Sequence, residues 1–310
     1  KERIVDYMFR EYKSGRTPNP DILCNREVKF DIFLEKALEI GADYVATGHY
    51  CQKESMVSEG KTIYQLIAGN DKTKDQSYFL CQLNQKQLSK ALFPIGKLKK
   101  IEVRAIAKKI GLNTADKRDS QGLCFIGKVK LPVFLQQQLK SKVGKVIEIK
   151  ADHPTFNYDS KNSTYEPYSL KEEMGKKIGT HSGAHFFTIG QRKGLNIGGT
   201  PLPLFVIGTD TIKNIIYVGQ GEDHPGLFRK GLSVDLKNAH WIRDDLKIKE
   251  NEQLNFLTRI RYRQELTDVK LNFIGEKLYF NFIHPQRGIT SGQFIAWYKQ
   301  NELIGSGIIN

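Results

Sequence analysis

No stretch of this 310-residue chain approaches the roughly 18 consecutive apolar residues of a membrane-spanning helix. The charged, amphipathic opening KERIVDYMFREYKSGR has neither the apolar centre nor the small-residue cleavage site of a secretory signal. The expectation is a soluble, cytoplasmic protein with no membrane partner. Cysteine is sparse: Cys24, Cys51, Cys81 and Cys124 contain no CxxC pair, which removes a zinc ribbon and a thioredoxin-type motif. Four cysteines in so long a chain do not make a disulfide scaffold either. The seven histidines are scattered, and His181 and His185, spaced i, i+4, fall in a β-like segment where they share no helix face. No metal site is expected. There is no HIGH or KMSKS block, which argues against an aminoacyl-tRNA synthetase, and no solenoid repeat or low-complexity linker.

Acidic residues are in deficit, 34 against 48 basic ones, for a net charge of +14. Such a chain attracts polyanions, nucleic acid above all. A generally lysine-rich composition would give the same number, so charge supports a nucleic-acid partner without establishing one.

Hydrophobic residues make up 39 %, enough for the cores of two or three domains. Up to about residue 142 helix and strand signals alternate. EVKFDIFLEKALE (27–39) has helical spacing with Gly41 as its stop, DYVATGHY (43–50) reads as a short strand entering a loop, and LIAGN (66–70) as another strand. KKIEVRAIAKKI (99–110) reads as an amphipathic helix ended at Gly111. Such alternation implies a parallel sheet whose chemistry collects beyond the carboxyl ends of its strands. From about 143 short strands take over: VIEIK, FFTIG, LFVIG and IIYVG, with 150–177 as a polar, turn-rich insertion. From about 230 the pattern is almost purely β, with a hairpin turning at Gly275 and Glu276, and predicts a small barrel. The expected domains are 1–142, 143–229 and 230–310.

Five segments carry chemistry. In TPNPDILCN (17–25) two prolines fix an extended loop around Asn19. Asp21 and Cys24, three apart, share one side if a helical turn starts there. A carboxylate beside a thiol can move protons, and an exposed thiol near a helix start is acidified; a capped turn over a packed cysteine is the plainer alternative. In DSQGLCFIG (119–127) Cys124 follows the basic residues Lys117 and Arg118, which favour a thiolate; a packed cysteine ahead of Phe125 is the alternative. Two loop cysteines suggest a redox or persulfide pair. In ATGHY (46–50) a Gly-His turn admits a ligand close to the backbone, or His49 is an ordinary loop histidine. In KDQSYFL (74–80) Lys74 suits a phosphate and Gln76 a base or phosphate, or the segment is a solvated cap. Gln191, Arg192 and Lys193 occupy a glycine-rich turn suited to a nucleic-acid backbone, or simply a tight turn.

Together TPNPDILCNREVKF, GADYVATGHY, KDQSYFL, LFPIGKLKKIEVRAIA, DSQGLCFIG, FFTIGQRKGLNIGG, RIRYRQ and ITSGQFIAWY resemble, in order, successive blocks of bacterial tRNA-specific 2-thiouridylases. The resemblance implies an α/β plus β architecture. A parallel sheet of the nucleotide α-hydrolase (ATP-pyrophosphatase) type is followed by a small central domain and a C-terminal β-barrel. It implies a sulfurtransferase that uses ATP, with Mg2+, to adenylate the wobble uridine of tRNA(Lys/Glu/Gln) and then replaces oxygen at carbon 2 with persulfide sulfur. A cysteine desulfurase or a sulfur relay would be the donor. By resemblance, Cys124 carries the persulfide, Cys24 resolves it and Asp21 is the acid/base. Asn19, Pro20 and Asp21 match the base-contact stretch, Gly48 an ATP contact, and His49, Lys74, Asp75, Gln76, Arg261, Tyr262 and Gln293 tRNA contacts. Two departures stand out. The family's SGGxDSS phosphate loop is absent and the chain opens inside a helix, so these residues alone are expected to be inactive. Ser291 stands where the family usually has proline. The alternatives are a non-catalytic tRNA-binding fragment and another amidating ATP-pyrophosphatase.

Overall fold

A computed structural model describes residues 2–117, 131–157 and 165–310. Near the start, Met8, Phe9 and Tyr12 recur at helical spacing and bury one face of α1 (Tyr7–Lys13). The chain then runs extended to Asn19, whose side chain accepts from the Ile22 N–H at 3.4 Å and caps α2 (Pro20–Cys24), with Pro20 at the first helical position. A wider π-type stretch, Asn25–Ile32, passes into α3 (Phe33–Glu39), and Gly41 (φ +94°) ends it. β1 (Val45–Ala46) follows. The hairpin β2 (Cys51–Ser58) and β3 (Lys61–Ala68) is longer than the predicted strand at 66–70. α4 (Gln85–Lys90) starts on an Asn84/Gln87 capping box and leads into β4 (Ala91–Leu92), which pairs in parallel with β1. α5 (Lys100–Lys109) is the expected helix, but none of its residues is buried, and Ile101, Ile106 and Ile110 lie exposed.

After α6 (Leu131–Leu135) the central part is a four-stranded sheet in the order β6 (Lys176–His181), β5 (Gly144–Glu148), β8 (Ile215–Gln220), β7 (Leu204–Asp210). Apolar residues cover both faces: Ile147, Phe205 and Tyr217 on one, Val146, Val206 and Val218 on the other. The predicted FFTIG strand is absent. Residues 184–186 form a short 3-10 turn, and the backbone of the segment bonds to β7 only as Gly190 N–H to Val206 O and Val206 N–H to Gln191 O. The strand β6, not among those predicted, begins at the end of the polar stretch 150–177 and runs beyond it to His181.

The last part comprises β9 (Phe228–Asp235), β10 (Ala239–Trp241), β11 (Gln253–Arg259), β12 (Thr267–Ile274), β13 (Lys277–Arg287), β14 (Phe294–Lys299) and β15 (Glu302–Ile308). The predicted turn between β12 and β13 falls on Gly275, at φ +60°. Trp241 and Trp297, with ring centroids 5.0 Å apart, centre the barrel core. The β2–β3 hairpin belongs to this sheet as well: β3 pairs antiparallel with β15, joining Leu66 to Leu303 and Ile67 to Glu302. A single apolar core therefore unites Met8, Ile22, Phe30 and Tyr78 with Phe294, Tyr298 and Leu303.

Candidate functional site

Two distant stretches, at Thr188 and at Ser291–Gln293, converge on the extended loop before α2. The Gln293 amide donates to Thr17 O at 2.9 Å and Pro18 O at 3.2 Å, and accepts from the Asn19 amide at 3.4 Å. Thr17 N–H donates to Ser291 O at 2.9 Å, and the hydroxyls of Thr17 and Thr188 meet at 3.2 Å. Behind the loop, Arg16 clasps the buried Glu11 with two contacts of 2.6 Å. Pro20 is buried and Asp21 half-buried. Asp21 and Cys24 do lie on one helical turn, and of the two readings open for the thiol the fold provides the packed one, over a capped turn. Cys24 is only 2 % exposed, because α2 turns it into the core beside Ile22 and Phe30. Cys51 and Cys81 are fully buried and form no disulfide. Burial pushes both thiols up, Cys81 to about 12, which leaves them inert at neutral pH. Cys124, with Arg118 and the rest of DSQGLCFIG, lies outside the described residues.

The loops ATGHY and KDQS are stitched together. Gln76 N–H donates to Tyr50 O at 2.8 Å, and its side-chain oxygen accepts from Tyr50 N–H at 3.0 Å. Gly69 permits this closeness, since a Cβ there would stand 2.4 Å from Tyr50 O. Gly48 is exposed with open space where a Cβ would be, so its backbone is approachable from outside. His49 sits between the Phe30 and Phe93 rings, with Nδ1 2.8 Å from the Thr47 hydroxyl. Burial, reinforced by Lys29, lowers its pKa to about 3. The unfolded chain takes up this proton near pH 6.5 and the folded one does not until about pH 3. The associated stability is therefore complete above 6.5 and lost as pH falls. Between pH 7 and 5 the protein should lose about 1–2 kcal/mol more than its His49→Gln variant in urea unfolding; parallel pH profiles would contradict a neutral, enclosed ring.

Asp75 requires a correction. The resemblance makes it a tRNA contact, yet it is 3 % exposed. Its carboxylate accepts from Gly69 N–H, Ser77 N–H and the Ser77 hydroxyl, and pairs with Arg259 at 2.9 Å. Every oxygen is engaged inside the protein, so Asp75 orders the loop that presents Lys74 and Gln76. Arg261 is partly structural too: its guanidinium donates to Arg287 O and Gly288 O. Tyr262 packs against Phe79 with the rings tilted at 43° and centroids 4.5 Å apart, and its hydroxyl reaches Lys74 O at 3.5 Å, while Arg263 lies 5.2 Å over its ring.

The structure also gathers cations that the sequence reading left apart. Lys100 has its pKa lowered by burial and then by Lys74, Arg104 and Arg263, which come from α5, the loop at 74 and the turn after β11. Of these the sequence had singled out Lys74 alone, as suited to a phosphate. Gln191, by contrast, is occupied within its own turn, accepting from Thr188 N–H and donating to Lys193 O. Among the described residues no group of three or more His, Cys, Asp or Glu gathers as metal ligands.

Comparison with known proteins adds three matches in chain order. They are a tRNA methyl transferase HUP domain over residues 1–128, a tRNA methyl transferase PRC-barrel domain over 164–220 and an aminomethyltransferase β-barrel domain over 232–309. The chain is 58 % identical to the tRNA-specific 2-thiouridylase MnmA of Flavobacterium johnsoniae and 57 % identical to that of Christiangramia forsetii, over all of this chain and 81 % of each relative. It is 41 % identical to the protein of that name from Streptococcus thermophilus, over all of this chain and 75 % of the relative.

Proposed function

The chain belongs to the tRNA-specific 2-thiouridylase family, and from that premise we propose that it transfers sulfur to carbon 2 of the wobble uridine in tRNA(Lys/Glu/Gln). The observation that carries this reading is the convergence of Asn19, Gln293 and Thr188 around the helix bearing Asp21 and Cys24. That loop is braced on three sides, as a loop that receives one extruded base must be. The matched family descriptions speak of methyl transfer, but methyl transfer needs no pair of loop thiols, and sulfur transfer does.

Residue roles follow. Asn19, Pro20 and Asp21 border the target base, Asp21 as acid/base. His49, held neutral, acts as a hydrogen-bonding wall rather than a cation. Lys74, Gln76, Arg261 and Tyr262 face the nucleic acid, while Gln293 holds the loop that contacts it. Cys124 carries the persulfide. Its terminal sulfur attacks carbon 2, and the Cys24 thiolate then attacks Cys124 Sγ. The S–S bond breaks, its electron pair stays with the transferred sulfur, and a Cys24–Cys124 disulfide remains for a thiol reductant to reopen. A cysteine desulfurase or a relay protein supplies the sulfane sulfur. ATP supplies a leaving group for the uridine oxygen, with Mg2+ accompanying it. Of the residues present, Gly48 fits the approach of a nucleotide by its open backbone, and we assign the metal no protein ligand. We place the domain boundaries at 142/143 and 229/230 and the protein in the cytoplasm, where tRNA is modified; among the described residues no helix is long and apolar enough to cross a membrane.

If the Lys74, Lys100, Arg104 and Arg263 cluster meets tRNA phosphates, affinity should fall steeply with salt. Arg104→Ala, on an exposed helix, should flatten the log K versus log salt slope by about one unit while leaving stability unchanged. A flat salt response of the protein itself would remove the nucleic-acid reading.

A further inference from the structure

The loop before α2, the turn at 187–189 and the barrel loop at 289–291 enclose a cavity of about 130 Å3 that reaches Arg229 on β9. Arg229 is 7 % exposed. The other two buried arginines are neutralised: Arg243 by Asp245 and Glu302, Arg259 by Asp75. Arg229 is not. Among the described residues it makes no ion pair, and its acceptors are two carbonyls at long range, Tyr165 O at 3.3 Å and Ile289 O at 3.4 Å. The acid that acts on it through space, Glu166, is half-exposed and turned toward Lys277 at 3.9 Å. Burial pulls the Arg229 pKa down to about 10, so it remains a cation at neutral pH. A buried cation is costly without a counter-charge, and a guanidinium offers five N–H donors of which two are engaged here.

The cavity supplies hydroxyls as well. The Thr17–Thr188 contact consumes one hydroxyl hydrogen and leaves the other. Thr209 and Ser291 also line the wall, and their hydroxyls have no protein partner among the described residues. A space of this size accommodates one tetrahedral oxyanion.

We propose that this cavity is a binding site for a single phosphate group, with Arg229 as its counter-charge and the hydroxyls of Thr17 or Thr188, Thr209 and Ser291 as donors. The group is either free inorganic phosphate or one phosphodiester of a bound polynucleotide. Because Thr17 lies directly before Pro18 and Asn19, an anion here fastens the base-contact loop to both the central sheet and the barrel. The site itself does not rest on the sulfur-transfer reading.

The probe is inorganic phosphate, titrated at constant ionic strength against chloride and read as thermal stability. The protein should show a saturable rise, on the order of 5 °C at a hundredfold excess over Kd. Arg229→Gln should lose it and Arg229→Lys should retain a weakened form. Ser291→Ala and Thr209→Val, which leave the buried cation in place, should melt normally without phosphate and bind it several-fold more weakly. They carry the test if Arg229→Gln does not fold. The absence of a saturable shift, or a shift undiminished in Ser291→Ala and Thr209→Val, overturns the site. The source is read separately, from tRNA affinity with and without phosphate. Competition, with loss of tRNA affinity in Arg229→Lys, identifies a backbone phosphodiester; unchanged tRNA affinity identifies the free ion.

Discussion

Cys24→Ser, in the enzyme supplied with ATP and a sulfur donor, should lower 2-thiouridine formation by on the order of 10³-fold or more while Cys124 still accepts a persulfide. The exchange changes one atom, and that atom decides the outcome. A serine oxygen at the same place cannot attack the Cys124 sulfur and close a disulfide, so the transferred sulfur keeps its bond to Cys124 and turnover stops. The burial of Cys24 sharpens the expectation. A thiol kept from solvent is protected from oxidation, and a disulfide from it closes only with the two Cα atoms within about 7 Å. Cys124→Ser should abolish both loading and thiolation. Cys51→Ser and Cys81→Ala should leave the chemistry near normal with losses in stability alone, because these thiols are enclosed and held protonated. Intact-mass analysis of trapped persulfide beside nucleoside mass spectrometry reads all four variants. Full thiolation by Cys24→Ser or by Cys124→Ser would sink the two-cysteine mechanism.

Asp75→Ala should destabilise the fold by about 3–5 kcal/mol, because it strands the Arg259 cation in the interior and removes three further hydrogen bonds. In a chain of this size that lowers Tm by on the order of 10 °C. Arg259 also stacks over Tyr298 at 5.0 Å, and Tyr298 meets the Ser77 hydroxyl at 3.1 Å, so the damage should reach from the loop at 75 into the barrel. Asp75→Ala with Arg259→Met, which removes both charges, should recover part of the loss. Urea midpoints of the three proteins test this. An Asp75→Ala protein of normal stability that binds tRNA poorly would restore Asp75 to the nucleic-acid surface.

The sequence made some of this legible and hid the rest for identifiable reasons. Helix stops at Gly41 and Gly111 and the turn at Gly275 were readable because each needs a positive φ that glycine adopts cheaply. The loop before α2 was readable because two prolines and an asparagine cap act locally. The role of Asp75 was hidden because its partner lies 184 positions away, and nothing local distinguishes a buried aspartate from an exposed one. Arg229 was hidden likewise: burial without a counter-ion is a property of three segments meeting. The FFTIG run failed as a strand since its apolar content serves packing against the central sheet rather than a ladder.

The pairing of β3 with β15 sets a timetable for synthesis. Ile67 must wait for Glu302, 302 − 67 = 235 positions downstream. At the ~5–20 residues per second of translation that wait is about 12–50 s, with one strand edge open throughout. Phe294, Tyr298 and Leu303, which complete the first core, emerge only with β14 and β15. The β2–β3 hairpin is thus obliged to keep an open edge until β15 has left the ribosome, a long exposure to chaperones and to neighbouring chains. Loss of β15 would therefore undo the core around Met8, Ile22 and Phe30 as surely as the barrel.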